Sequence, residues 1–170
     1  YYVYDSTMRV PLVFAWPGGI EGPRRIAQPV RTADIAPTIL ELAGLPPLQD
    51  IQGVSLASVL RGEGVVPELP IYGESFEPLS MFGSSVLRFL RRGDWKYLRK
   101  IDPELYDLSK DPNELTNLAD QYPELVAQMR DELENWVREE HIAHGDNRVH
   151  VDDETFEQLQ ALGYVGEGAP

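Results

Sequence analysis

The sequence predicts the tail of an α/β domain followed by a small α+β subdomain, in which a four-stranded antiparallel sheet is covered by a long helix. Three observations support this fold class: an unbroken apolar run at residues 9–16, four short strand-like segments between residues 69 and 108, and an apolar stripe at helical spacing in residues 123–140. We place the boundary between the two parts so that the chain divides into residues 1–66 and 67–170.

The apolar run at residues 9–16, RVPLVFAW, has the length of a strand and ends at a Pro-Gly-Gly breaker. Strands without polar alternation are typical of sheets that are covered on both faces. We therefore expect residues 9–16 to lie buried in the middle of an α/β sheet. Because the rest of the first part offers no strand to pair with this one, we also expect the chain to be a fragment of a larger domain.

Two short helices are predicted between this strand and a linker at residues 63–70. The first, at 34–44, starts with an acidic cap and ends at a glycine. The second, at 53–62, has Ser55 as its cap and also ends at a glycine. Helices of this length need a sheet or another helix to pack against, which agrees with an α/β tail.

After the linker, the pattern changes to strands that follow one another without helices between most of them. The predicted strands lie at 69–74, 84–92, 95–101 and 105–108. The middle two are joined by Gly93-Asp94, which predicts a tight hairpin, so the sheet is expected to be antiparallel. The amphipathic helix at 123–140 would cover this sheet, and a last helix is predicted at 153–162.

Composition and charge exclude several classes of protein. The 170 residues include no cysteine, which excludes disulfides and thiolate sites, and no run of apolar residues is long enough to span a membrane. Residues 1–101 carry 11 basic and 10 acidic side chains (net +1), whereas residues 102–170 carry 4 and 18 (net −14), so nucleic acid is an unsuitable partner. We interpret the clustered basic residues as solvated flanks of two strands, with an anion-facing patch as the alternative: Arg88, Arg91, Arg92, Lys96, Arg99 and Lys100.

Five motifs occur in a fixed order: YDSTMRVPLV at 4–13, PV at 29–30 with DIAPT at 34–38, GVSL at 53–56, GDWKY at 93–97, and ELYDLSKDPNELTNLAD at 104–120. Together they resemble the C-terminal part of a sulfatase and cover most of residues 4–119. The ending LQALGYV at 159–165 is similar to the close of the sulfatase region in bacterial members, some of which continue into tetratricopeptide repeats.

The resemblance implies a parent hydrolase of the alkaline phosphatase superfamily that cleaves sulfate esters with a formylglycine and a calcium ion. None of the motifs that supply these groups can be matched in this sequence. We therefore expect no catalytic residue, no metal ligand and no cofactor in this chain, and no sulfatase activity from it alone. The implied partners are the missing N-terminal catalytic part and, through the parent, a sulfated small molecule or glycan. An extracytoplasmic location, periplasmic or secreted, is implied by the resemblance alone.

Other side chains that could carry chemistry are assigned to structure. His141, His144 and His150 could be imagined as a metal site, but their polar surroundings favour exposure to water. In the stretch 104–120, Asp107 and Asp111 are expected to shape a turn, which leads into a helix start near Glu114. We assign this stretch no catalytic role.

The best candidate for contact with substrate is the connection Glu74–Ser85, ESFEPLSMFGSS, because long connections in compact domains are often functional. Aromatic side chains there could stack on a sugar or aryl group, or could pack against the missing part of the protein. The residues proposed for this substrate rim are Glu74, Ser75, Phe76, Phe82 and Arg88.

Two other functions stay open at this point. The matching motifs belong to the scaffold, so the parent could instead be a phosphatase, phosphodiesterase or phosphonate hydrolase of the same superfamily. The chain could also be a non-catalytic binding or interaction module that uses its acidic helices or its aromatic connection.

Overall fold

The computed structural model describes residues 3–82 and 85–144. The chain forms two compact units, Tyr1–Leu133 and Glu134–Pro170. The first contains the whole β-sheet, and the described part of the second is the end of the last helix. The boundary placed between residues 66 and 67 stays a prediction, and the helix predicted at 153–162 lies outside the described residues.

The α-helices of the described residues are α1 (Asp5–Met8), α2 (Ile35–Leu42), α3 (Ala57–Arg61), α4 (Glu77–Phe82) and α5 (Pro123–His144), and a 3-10 turn at Thr32–Asp34 precedes α2. The two short helices predicted in the first part and the long one after the sheet are therefore confirmed. The predicted cap at Ser55 is wrong, because the N-cap of α3 is Leu56, whose side chain makes no capping hydrogen bond. The Ser55 hydroxyl instead accepts the backbone N–H of Ala57 at 3.1 Å from one residue before the N-cap. Among these helices, none combines the length and the apolar character needed to cross a bilayer.

The strands β1 (Ile71–Ser75), β2 (Leu87–Arg92), β3 (Trp95–Arg99) and β4 (Glu104–Asp107) form one antiparallel sheet in the order β1-β2-β3-β4. This confirms the predicted sheet. Arg92 pairs with Trp95, so the hairpin turns through two residues, and Gly93 there adopts φ +56°. A positive φ is strained for most side chains and accessible to glycine, which explains the tight turn.

One face of the sheet is covered by residues 123–133 of α5, as predicted. Leu90 pairs with Tyr97, and Tyr97 pairs with Leu105, so these three side chains share a face and all are buried. Arg92 on the same face donates to Glu132 of α5 at 2.8 Å, which places the helix against it. Within the apolar stripe of α5, Met129 and Leu133 are buried and Leu125 and Val126 are half-buried.

The opposite face is covered by the first described residues of the chain, 3–8, which we call the N-terminal strap. Val3 is buried in a cluster with Phe89, Leu98 and Tyr106, and the Tyr4 ring meets the Tyr106 ring edge-on at 6.3 Å between centroids. These residues, which precede β1 by more than 60 positions, give the small sheet a second cover.

The prediction of a buried strand at residues 9–16 is wrong for the chain as it is folded here. This segment forms no strand, and Val10 and Val13 are 64% and 83% exposed. A strand gains its hydrogen bonds from neighbouring strands, and the described residues place none beside this segment. The apolar run is therefore a largely exposed segment without regular secondary structure.

Candidate functional site: charge networks built from the sequence motifs

Lys96 lies at the centre of a buried charge network. Its side chain is fully buried on the strap face of β3, and its Nζ is 2.6 Å from Asp5 Oδ1 and 2.8 Å from Glu114 Oε1. The same Nζ lies 4.8 Å from the centre of the Phe89 ring, within the range of a cation–π contact. The interpretation of Lys96 as a solvated strand flank is therefore wrong, because two carboxylates balance its charge inside the protein.

The two carboxylates come from distant parts of the chain. Asp5 begins α1 in the N-terminal strap, and Glu114 follows β4. The backbone N–H of Asp5 donates to Glu114 Oε2 at 2.5 Å, and an Arg91 guanidinium nitrogen lies 3.5 Å from Asp5 Oδ2. Glu114 has φ +55°, a left-handed conformation that is uncommon for a residue with a side chain. The network thus joins the strap, the hairpin and the turn after β4.

Within the stretch at residues 104–120, the residues after β4 form this turn. Asp111 Oδ2 accepts the backbone N–H groups of Leu115 and Thr116, both at 2.8 Å, which confirms that its charge shapes the turn. Hydrogen bonds from Lys110 and Ser109 lower the pKa of Asp107 to about 2. The helix start expected near Glu114 is wrong, because α5 begins at Pro123.

A second cluster joins the motif before α2 to the motif before α3. The buried Asp34 carboxylate accepts the Arg31 side chain at 2.7 Å, the Arg31 backbone N–H at 3.0 Å and the Val54 backbone N–H at 2.9 Å. Burial alone would raise the pKa of Asp34, but these hydrogen bonds outweigh it and hold the pKa below its usual value. Asp34 is therefore a structural anchor.

Thr38 and Gly53 complete this second cluster. The Thr38 hydroxyl is fully buried; it donates to the Asp34 carbonyl at 2.5 Å and accepts the Leu56 N–H at 2.9 Å. A Cβ on Gly53 would lie 1.9 Å from the Ala33 carbonyl oxygen, so the chain can approach this closely only at a glycine. The polar residues of these motifs thus hold α2 and α3 together.

The proposed substrate rim is brought together in part. Glu74 and Arg88 face each other across β1 and β2, and Arg88 Nε donates to Glu74 Oε2 at 3.1 Å and to the Tyr72 hydroxyl at 3.2 Å. Burial and the hydrogen bond to Glu74 raise the pKa of Tyr72 to about 12. Ser75 ends β1 and Phe76 follows it, 54% exposed.

The connection that carries the rim is not a plain loop, because it contains α4, Glu77–Phe82. Phe82 ends this helix, and its side chain lies outside what the structure describes. The side chains of His141 and His144, and the whole of His150, also lie outside what the structure describes. In residues 3–82 and 85–144, no group of three or more His, Cys, Asp or Glu side chains is arranged to hold a metal ion.

A small cavity lies between the second cluster and β1. It has a volume of about 10 Å³, roughly the space of one water molecule, and its lining includes Arg31, Asp34, Leu56 and Ile71. A cavity of this size cannot hold a sugar or an aryl ester.

Sequence reasoning missed the network around Lys96, although two signals were present. Lys96 shares its strand parity with Leu98, so it had to lie on the same face as a core residue. Three of its four charged members, Asp5, Lys96 and Glu114, also fall inside the motifs that were singled out. What the networks can do chemically is hold segments in place, since each carboxylate described above is occupied by cations or backbone N–H groups.

Comparison with known proteins places these motifs in a family. Residues 1–139 match the model of the family described as N-sulphoglucosamine sulphohydrolase, C-terminal. The chain is 36% identical to arylsulfatase K of Gallus gallus over 136 residues, which is 73% of this chain and 25% of that protein. It is 33% identical to arylsulfatase K of Homo sapiens over 146 residues, 79% of this chain and 27% of that protein. The chain thus spans about a quarter of the length of these relatives.

Solved structures with a similar fold agree with this family match. A Bacteroides thetaiotaomicron protein classed as a sulfatase superposes with a TM-score of 0.69 at 28% identity, covering 91% of this chain and 35% of that one. A 2-O GAG sulfatase superposes with a TM-score of 0.53 at 29% identity, covering 70% of this chain and 26% of that one.

Proposed function

Because this chain belongs to the sulfatase family, as a C-terminal domain of the N-sulphoglucosamine sulphohydrolase type, we propose that it is the C-terminal part of an enzyme that hydrolyses sulfate esters. The match over residues 1–139 is the observation that carries this proposal. The reaction itself takes place on another part of the protein, because the chain corresponds to about a quarter of its arylsulfatase K relatives.

The residues of this chain do not fit the groups that sulfatase chemistry implies. The sequence contains no cysteine, and no serine in a motif of the Cys-x-Pro-Ser-Arg type, from which a formylglycine could be made. None of the carboxylates discussed above is left without cations or backbone donors. We assign neither the formylglycine nor the calcium ion to these residues and derive no catalytic step from them. The rest of the parent protein supplies both groups in this proposal, and its location is periplasmic or secreted.

The exposed apolar segment at residues 9–16 supports the proposal that another part of the protein packs against this chain. Val10, Val13 and Trp16 are 64%, 83% and 43% exposed, and apolar surface of this extent in one segment is typical of an interface. We place the N-terminal catalytic part of the same polypeptide on this segment, where it would supply the strands that the sequence pattern demands.

The substrate in this proposal is a sulfated glycan or small molecule that contacts the rim formed by Glu74, Ser75, Phe76, Phe82 and Arg88. Phe76 supports this most directly, since its half-exposed ring could stack on the face of a sugar. Arg88 is held in place by Glu74 and Tyr72, and its guanidinium is the cation of the rim that an anionic group would meet in this proposal. The 2-O GAG sulfatase among the structural relatives is consistent with a glycan.

The test compares the full-length gene product with the 170-residue chain on an aryl sulfate and on the corresponding aryl phosphate, with calcium and with a chelator. We expect the full-length protein to hydrolyse the sulfate ester in a calcium-dependent way and the short chain to show no turnover above a blank. Faster turnover of the phosphate would favour a phosphohydrolase, and turnover by the short chain would refute the absence of a catalytic centre.

The rim is tested in the full-length protein with Phe76→Ala, compared with Ile101→Ala, an apolar residue that is 96% exposed in the connection between β3 and β4. Loss of a stacking contact should raise KM for a sulfated glycan about 5- to 10-fold with little change in kcat. Equal kinetics of the two variants would remove Phe76 from the rim.

A further inference from the structure

We propose that the Lys96 network is a clamp that captures the N-terminal strap on the small sheet and so fixes where the chain of the parent sulfatase enters this domain. The first half of this statement concerns residues present here. The second half rests on the proposed function, because it assumes that the catalytic part precedes the strap.

The network is built from segments that local structure does not bring together. Asp5 is 91 residues from Lys96 and 109 residues from Glu114. Lys96 forms ion pairs with both carboxylates, and Glu114 also accepts the Asp5 backbone N–H. The strap is therefore held by its main chain and by its side chain at the same residue.

Stability of the sheet alone gives no reason for a lysine at this position. Removing an ammonium group and two carboxylates from water is costly, and apolar residues of similar volume often stabilise a core as well or better. A charge network differs from apolar packing because it is satisfied in only one register of the strap against Lys96. If the strap slid by one residue, Tyr4 or Ser6 would replace Asp5 and leave Lys96 with one carboxylate fewer.

The surroundings of the network support this register. Glu114 keeps its uncommon φ of +55° while it contacts both the strap and Lys96. On β1, a Cβ at Gly73 would lie 2.2 Å from Phe89 Cε1 and 3.1 Å from Met8 Cε. Because Gly73 has no side chain, it leaves room for the Phe89 ring next to Lys96 and for Met8 at the end of the strap.

The experiment measures hydrogen exchange of backbone amides by NMR in the 170-residue chain. Lys96→Met leaves the buried Glu114 carboxylate without its cation and is at risk of failing to fold, so Asp5→Asn is the primary variant. The strap amides that are hydrogen bonded, at Asp5, Thr7 and Met8, should exchange roughly 10- to 100-fold faster in Asp5→Asn, while amides of β2 and β3 keep their wild-type rates.

The matched control is Glu132→Gln, which removes the charge of an ion pair on the other face of the sheet, at Arg92. It should leave exchange in the strap unchanged. Unchanged strap exchange in Asp5→Asn would overturn the clamp. So would equal acceleration of strap and sheet amides, because the network would then stabilise the sheet as a whole and not the strap.

The link to the parent is tested separately in the full-length protein. Asp5→Asn should lose sulfatase activity on heating at least several times faster than Glu132→Gln, and equal rates would overturn the second half of the proposal. If the full-length protein hydrolyses no sulfate ester, the proposed function fails, whereas the exchange experiment still decides whether the clamp exists.

Discussion

Replacement of Thr38 by valine tests how the motif before α2 is joined to the motif before α3. Valine has the shape of threonine but lacks the hydroxyl, so Thr38→Val removes two hydrogen bonds without opening a cavity. The Leu56 N–H, which donates to Thr38 Oγ1 at 2.9 Å, would be left buried without an acceptor. The Asp34 carbonyl would lose the hydroxyl that donates to it at 2.5 Å.

The magnitude follows from these two contacts. A buried donor left unpaired costs about 1–3 kcal/mol, so we expect Thr38→Val to lower the free energy of unfolding by about 2 kcal/mol. The matched control, Thr38→Ser, keeps the hydroxyl and loses one methyl group, which is worth about 0.8 kcal/mol. In a chain of this size, 1 kcal/mol corresponds to about 2–4 °C in the melting temperature.

Urea unfolding followed by tryptophan fluorescence measures the difference. The valine variant should unfold at a lower urea concentration than the serine variant, with unchanged slope, because both bury nearly the same surface. A valine variant as stable as the wild type, or more stable than the serine variant, would refute the hydrogen-bonded role of Thr38.

Three further predictions test other contacts. Gly53→Ala places a Cβ 1.9 Å from the Ala33 carbonyl oxygen; the forced backbone shift should cost about 1–3 kcal/mol in a thermal melt, and an unchanged melting temperature would contradict the close approach. The pKa of Asp107 is lowered to about 2, chiefly by the hydrogen bond from Lys110, so its stabilising effect is present above the unfolded pKa of about 3.9 and is lost as pH falls through about 2. Lys110→Met should raise the midpoint of the Asp107 carboxyl titration in NMR, and an unmoved midpoint would show that the pair does not form in solution. Asn117→Ala removes the acceptor of two backbone N–H groups, those of Leu105 at 3.0 Å and Ala119 at 2.9 Å, and should lower the free energy of unfolding by about 1–3 kcal/mol. Asn117→Asp keeps an acceptor oxygen at this position and should keep most of the wild-type free energy of unfolding.

The elements that the sequence predicted well are those with local signals. The hairpin at Gly93-Asp94 follows from turn chemistry, and the end of α3 at Gly62 follows from the left-handed conformation that glycine adopts at a helix C-terminus. The strands and α5 follow from their periodicities. In the candidate rim, the pairing of Glu74 with Arg88 was not predicted, because it depends on the register between two strands.

The sequence by itself determined the sulfatase resemblance, the four-stranded sheet and its covering helix, because motif order and hydrophobic period are properties of neighbouring residues. Tertiary structure decided that Val3 covers the second face of the sheet, that Lys96 is buried between Asp5 and Glu114, and that residues 9–16 are exposed. These outcomes depend on which distant segments are present to pair, and burial of a strand or a charge is favourable only when such partners meet it.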